Sequence, residues 1–319
     1  MKVRSDYFTS RHDADFGREA EMEACWALDG CASENPTKLS PRRQLYRTVC
    51  FILAASKWRS PMNANTAYKA SLATQSDIER ALRVDLAAAY RLVALNRWDD
   101  LIFTHLSVRI PGPEHHFLIN PYDMMFEEIT ASSLVKIDVN GNPVERTTHK
   151  VNPAAFTIHS AVHMGREDAC AVMHLHTPHG QAVSAIKGGL LPHTQTAMLV
   201  TEDVAYHDYE GIATDLDERE RIVRDLGDKS VMILRNHGTL AVGPTIAECY
   251  LRMYFLERAC EAQVLMLAGG RDNLIDPPLG VEEKVADQAD PESVRFVACK
   301  LAWPALLRKL DRLDPSYRE

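Results

Sequence analysis

The run Ala171-Val172-Met173-His174-Leu175-His176 constrains the fold of this chain more than any other stretch. So short and apolar a segment reads as a buried strand. Side chains two residues apart on a strand point to one face, so His174 and His176 can meet the same ion. A second strand-like run, Val231-Met232-Ile233-Leu234-Arg235, leads into Asn236-His237-Gly238. The glycine there allows a sharp backbone turn, so His237 can join the first two rings. Three neutral imidazoles suit zinc, iron, manganese, cobalt or nickel and leave coordination positions open for a substrate. A His-X-His pair alone is usually just two histidines; the third, at another strand end, makes a divalent-metal site the expectation for His174, His176 and His237. Twelve of the 13 histidines fall between His105 and His237, which leans the same way.

A chain of 319 residues can bury a sizeable core as one large domain or two smaller ones. Its 46% hydrophobic and 25% charged residues are ordinary for a globular protein. A net charge of −8 argues against a general nucleic-acid binder. No apolar run approaches the ~20 residues that span a bilayer. Val49–Ala55 is too short and too far from the start for an ordinary signal peptide, and the acidic residues among the first 30 argue against a mitochondrial leader. The expectation is a cytoplasmic protein. Seven cysteines, an odd number without a Cys-X-X-Cys pair, read as reduced thiols, with Cys170, Cys249 and Cys260 as packing residues.

Three regions follow from the patterning: residues 1–75 as a loosely ordered extension, 76–270 as the main domain, and 271–319 as a linker with a short terminal helix. The first lacks long periodicity and contains loop-like stretches such as Ser33–Thr37 and Ser60–Asn65, with Met62 as an alternative start. Ser76-Asp77-Ile78-Glu79 reads as a capping box opening a helix whose stripe is Ile78, Leu82, Leu86, Ala89 and Val93. Strands are expected at 101–110, 116–120, 135–139 (running into the Asn140-Gly141 turn), 171–176, near Met198, at 204–206 and at 231–235. Helices are expected at 153–164, 178–186, 216–226, 245–268 and 304–313. Strands in the middle with helices outside make an α/β chain with a three-layer α/β/α domain.

Several spaced motifs now resemble a known family. His116-Phe117-Leu118-Ile119, Glu128–Lys136, His159-Ser160-Ala161-Val162-His163, His174-Leu175-His176-Thr177-Pro178, Val204–Tyr209 and Arg235-Asn236-His237-Gly238 are similar to the class II aldolase/adducin family, in its adducin-head-like bacterial-type branch. The likeness runs from about Asp77 to Gly270. It implies a mainly antiparallel central sheet between helix layers, assembled as a homotetramer with sites at subunit borders. It also implies that His174, His176 and His237 hold a divalent metal, commonly zinc, which stabilises the enediolate formed when a carbon–carbon bond breaks.

The departures from that family matter as much. Ala155 stands where its sugar-phosphate aldolases carry a catalytic glutamate, and Pro153-Ala154 replace two phosphate-binding serines. Of the Gly-Asn-X-Ser element only Ser107 remains, with His105 in the asparagine's place and Pro121-Tyr122-Asp123 in place of the glycine turn. His105, Ser107 and Arg109 are the substrate-binding candidates, with Lys136 as a further carboxylate binder; a solvated strand end is the plainer account of Arg109 and Lys136. His179, His193 and His207 are candidates for acid/base work. His207 leads, because neighbouring Asp208 can fix its tautomer. His159 reads as a buried hydrogen-bonding residue.

Three functions stand open. The first is a metal-dependent lyase on a small unphosphorylated oxo-compound. The second is a three-histidine non-haem iron oxygenase, a chemistry that the bacterial adducin-like branch implies. The third is a non-catalytic adducin-like module contacting actin, weakened because adducins use a neck and a lysine-rich tail that do not appear here.

Overall fold

The computed structural model describes residues 74–211 and 217–319. The extension expected over residues 1–75 lies, apart from its last two residues, outside them. In chain order the elements are α1 (Gln75–Leu95), β1 (His105–Arg109), β2 (Phe117–Ile119), β3 (Val135–Ile137), α2 (Pro153–Gly165), β4 (Ala171–Leu175), α3 (Pro178–Ser184), β5 (Val204–His207), α4 (Glu218–Leu226), β6 (Val231–Leu234), β7 (Gly238–Gly243), α5 (Ile246–Leu267), α6 (Val281–Gln288), α7 (Pro291–Phe296) and α8 (Trp303–Leu313). The strands form one seven-stranded sheet in the order β3-β2-β1-β4-β7-β6-β5. Every neighbouring pair is antiparallel except β5 and β6.

Alternation along the strands sorts the side chains into two layers. Leu106 and Val108 of β1, Met173 and Leu175 of β4, and Ile233 of β6 pack with Leu86 and Tyr90 of α1 and Met253 and Leu256 of α5. On the other face Val172, Leu240, Val242 and Met232 pack with Ile158 and Val162 of α2 and Ile222 and Leu226 of α4. Helices thus cover both faces, as the three-layer expectation requires. Being one residue out of step with Leu106 and Met173, His105, Ser107 and His174 take the α2 face. The Tyr90 hydroxyl ties α1 to β1, accepting from the Leu106 N–H at 2.7 Å.

Some local readings differ. The helix cap is Thr74, whose side chain accepts from the Asp77 N–H while Asp77 reaches back; Glu79 instead meets Lys136 at 2.8 Å. So Lys136 is held in an ion pair, leaving no free charge there for a substrate. Near Met198 the chain makes a helical turn, Gln195–Met198, capped by Thr194, where a strand was expected. Strand β7 went unread because glycines bracket it, yet it lies between β4 and β6. The charged stretch taken as linker is helical from Val281, and Ala298, Trp303, Leu310 and Tyr317 join the α1-side core. Trp303 also donates its indole N–H to Asp85 at 3.0 Å. No helix among the described residues is long and apolar enough to cross a membrane.

Candidate active site

His174 lies on β4 and His176 just beyond its end. His237 arrives from the turn between β6 and β7, which the antiparallel pairing of β4 with β7 carries to the same place. Asn236 takes the left-handed conformation of that turn, at φ 55°. Asparagine tolerates it better than most residues. The glycine's part is different from the one expected. A Cβ at Gly238 would stand 2.5 Å from the Leu175 carbonyl oxygen and 3.1 Å from the His176 ring. Gly238→Ala is therefore expected to destabilise the fold by about 1–3 kcal/mol and to displace His176; thermal unfolding and metal titration of the variant check both effects.

The three rings converge by their Nε2 atoms. His176 Nε2 is 3.0 Å from that of His174 and 2.9 Å from that of His237. Among the described residues these three form a group whose ligand atoms all lie within 4.8 Å of one another. The outer nitrogens explain the orientation. His174 Nδ1 is 3.0 Å from the Thr239 carbonyl oxygen, and His176 Nδ1 is 3.0 Å from Asp100 Oδ2. A carbonyl or carboxylate only accepts, so each Nδ1 carries a proton and Nε2 is the nitrogen each ring offers inward to a metal. Lone pairs this close repel unless a cation lies between them. Burial pushes the His174 imidazole well below its ordinary pKa and that of His237 to about 4, with the neighbouring histidines adding to both. Neutral rings are the form that ligates a metal. The donor set fits a divalent ion such as zinc or iron.

Beside this cluster runs a buried hydrogen-bonded chain. His163 Nδ1 donates to the Ala169 carbonyl at 2.8 Å, so its Nε2 accepts, from the Ser107 hydroxyl at 2.6 Å. Ser107 Oγ then accepts from His159 Nδ1 at 2.5 Å, and His159 Nε2 from His105 Nδ1 at 2.8 Å. One terminal carbonyl thereby sets every tautomer. It leaves an Nε2 lone pair on His105, whose ring lies against His174 with centroids 5.1 Å apart. Burial holds His105 and His159 well below the usual imidazole range and His163 at about 3.

The candidates named from sequence therefore separate. His105 adjoins the three-histidine cluster. Ser107 is a link in the buried chain, its hydroxyl already committed. Arg109 is spent elsewhere: its guanidinium donates to the carbonyls of His163, Arg166 and Glu167 at the C-terminal end of α2. Burial alone did not identify it, because strand alternation aims Arg109 at the helix layer along with Ser107. His179 bonds the buried Glu257 at 3.1 Å, tying α3 to α5, and His193 faces Asp276.

His207 ends β5 and is 4% exposed. Its partner is Asp225 of α4, with Nδ1 to Oδ2 at 2.7 Å, and not the adjacent Asp208. Asp208 follows the last residue of β5 and is exposed, while α4 packs the Asp225 carboxylate onto the ring. Although burial pushes the Asp225 carboxyl up, hydrogen bonds from His207 and Arg224 hold it below the usual range. His207 and His237 both line a small pocket, with room for roughly one water, together with Asp208, Tyr209, Glu218 and Arg235. Asp100, Asp225 and Glu218 were not found from the sequence; nothing in their local spacing points to a histidine 76 or 18 residues away.

A family model described as the class II aldolase and adducin N-terminal domain matches residues 84–264, which include every ring of this site. The chain belongs to the class II aldolase and adducin family. A protein of Caulobacter vibrioides, whose name assigns it provisionally to the class 2 aldolases, is 60% identical over 244 residues, 76% of this chain and 94% of that protein. The crystal structure of an aldolase II superfamily protein from Pseudomonas syringae is 50% identical with a TM-score of 0.71, covering 76% of this chain and 96% of its own. Mouse α-adducin is 48% identical over 202 residues, 62% of this chain but 27% of the adducin.

Proposed function

We propose that this class II aldolase/adducin-family protein is a metal-dependent enzyme, lyase-like, acting on a small unphosphorylated oxo-compound. One divalent ion, zinc foremost, is held by His174, His176 and His237. The observation that supports this is the convergence of three Nε2 atoms whose opposite nitrogens are anchored on Thr239 and Asp100. A bound metal would act as a Lewis acid on a substrate carbonyl. The chain's own residues fix the rings in the ligating tautomer and set a lone pair on His105 beside the site. Family members assemble as homotetramers by the resemblance drawn above, and the same arrangement in the cytoplasm is part of this proposal.

Phosphorylated sugars are poor candidates, because Ala155 offers no proton-transfer group at the glutamate's position and Pro153, Ala154, Pro121 and Tyr122 offer few donors to a phosphate. Elemental analysis of protein purified without added metal should find about one divalent ion per subunit. A screen of fuculose, rhamnulose and ribulose phosphates should then give rates about 10²–10⁴-fold below an enzyme's usual range. Turnover of any of them at about 1 s⁻¹ or more would overturn the unphosphorylated assignment.

Two other readings have their own tests. Iron as the resident metal, with oxygen consumed in the presence of a keto acid, would make the protein a three-histidine oxygenase. The 48% identity with α-adducin favours an interaction module instead; co-sedimentation with actin filaments by protein that turns over no oxo-compound would support it.

A further inference from the structure

We infer that His207 and Asp225 form the proton-transfer dyad of this site, taking and returning a proton on the carbon beside the carbonyl of an α-hydroxy carbonyl compound. The inference rests on the metal assignment proposed above. Four observations carry it. Asp225 Oδ2, 2.7 Å from Nδ1, fixes the proton there and leaves Nε2 as the ring's free nitrogen. Nε2 is buried and has no hydrogen-bond partner. An orphaned buried nitrogen costs free energy, and such groups gather where chemistry uses them. The ring lines the same small pocket as His237, one member of the three-histidine cluster. Finally, Glu218 and Glu210 stand 3.4 and 3.9 Å from Nε2, placed to balance the charge of a proton arriving there.

Among the pocket's other side chains, Asp208 is exposed. Tyr209 is half exposed and stacks edge-on toward His237 at 5.9 Å. The Arg235 guanidinium donates to the Ile186 carbonyl and lies over the Tyr206 ring at 4.2 Å. In the step itself the carbon–hydrogen bond breaks and its proton forms an N–H bond at His207 Nε2. The electron pair stays on the substrate as its enediolate. The reverse transfer restores the carbon–hydrogen bond, and no oxidant or reductant is required. Asp225 keeps its own charge throughout, holding the ring's orientation as carboxylates do for catalytic imidazoles.

Two measurements test the dyad. Nitrogen-15 NMR of histidine-labelled, metal-free protein reads the tautomer directly: His207 should carry its proton on Nδ1, and Asp225→Ala should give a mixture. The second follows dihydroxyacetone in D₂O by proton NMR with metal-loaded protein. Wild type should exchange the carbon-bound protons for deuterium faster than a protein-free blank. His207→Gln should slow this by about 10²–10⁴-fold with metal content unchanged, and Asp225→Ala should slow it less. Because His207 is buried, the more exposed Asp225→Ala provides the decisive comparison should His207→Gln fail to fold. Exchange at the wild-type rate in either metal-loaded variant, no exchange by metal-loaded wild type, or a proton on Nε2 in place of Nδ1 would each overturn the inference. A wild-type protein that binds no metal would instead overturn the metal assignment, while the tautomer measurement still judges the dyad.

Discussion

His176→Ala is expected to reduce bound metal from about one ion per subunit to about a tenth of that or less, because three ligands are the usual minimum for a catalytic site. The variant removes the ring that touches both others and leaves Asp100 without its partner. Asp100→Asn should be milder, since it keeps all three ligands and alters only the group that orients one. Losing such an outer partner typically weakens metal binding about 10–100-fold. Competition with a metal-sensitive dye measures both affinities. The ordering is the informative part: full occupancy in His176→Ala would remove this ring from the ligand set. Equal losses in both variants would mean that the carboxylate itself ligates.

Metal-free protein should lose stability steeply below about pH 6.5, the ordinary histidine value. His163 and His159 are buried in their neutral forms, His163 held at about 3 by burial. In the unfolded chain each protonates near 6.5, so below that pH the unfolded state binds protons that the folded state refuses. Stability is therefore fully present above 6.5 and falls as pH drops from 6.5 toward 3. For His163 alone the loss between pH 6.5 and 4 is about 3 kcal/mol, at 1.36 kcal/mol per pH unit. Urea unfolding at pH 7.5, 6 and 5 measures it, and His163→Gln should flatten the dependence by one proton's worth. A slope unchanged by that substitution would show that the folded protein already accommodates a charged ring at this position.

Much of the fold was legible because its signals are local. The short apolar run Ala171–Leu175 marks a buried strand, and the stripe from Leu82 to Val93 marks a helix; both lie where those patterns put them. Local signals also misled. Ser76 and Glu79 satisfy a capping-box spacing, but Thr74 and Asp77 make the box that caps the helix, and Glu79 pairs with Lys136. The residues of β7 have too many glycines to look like a strand. They become one because β4 and β6 present hydrogen-bonding edges on either side. The helices from Val281 onward are short and charged; the last of them is held by Trp303, Leu310 and Tyr317 in the α1-side core.

The candidate site divides the same way. Residue spacing alone puts His174 and His176 on one side of a strand, and the Asn236-His237-Gly238 turn signals a third ring at a strand end. Family motifs add that the three belong together. The partners of those rings are another matter. Asp100 reaches His176 across 76 residues, Asp225 reaches His207 across 18, and Ser107 joins His159 and His163 across more than 50. The sequence read Asp208 as the partner of His207 and Arg109 as a substrate binder, each plausible from its neighbours in the chain. Packing decided otherwise, since α4 lies over the end of β5 and the last carbonyls of α2 lie over β1. Which face a side chain takes follows from backbone periodicity, a property of a few consecutive residues. What waits on that face follows from which helix covers it, and only the whole hydrophobic core, closing at once, settles that.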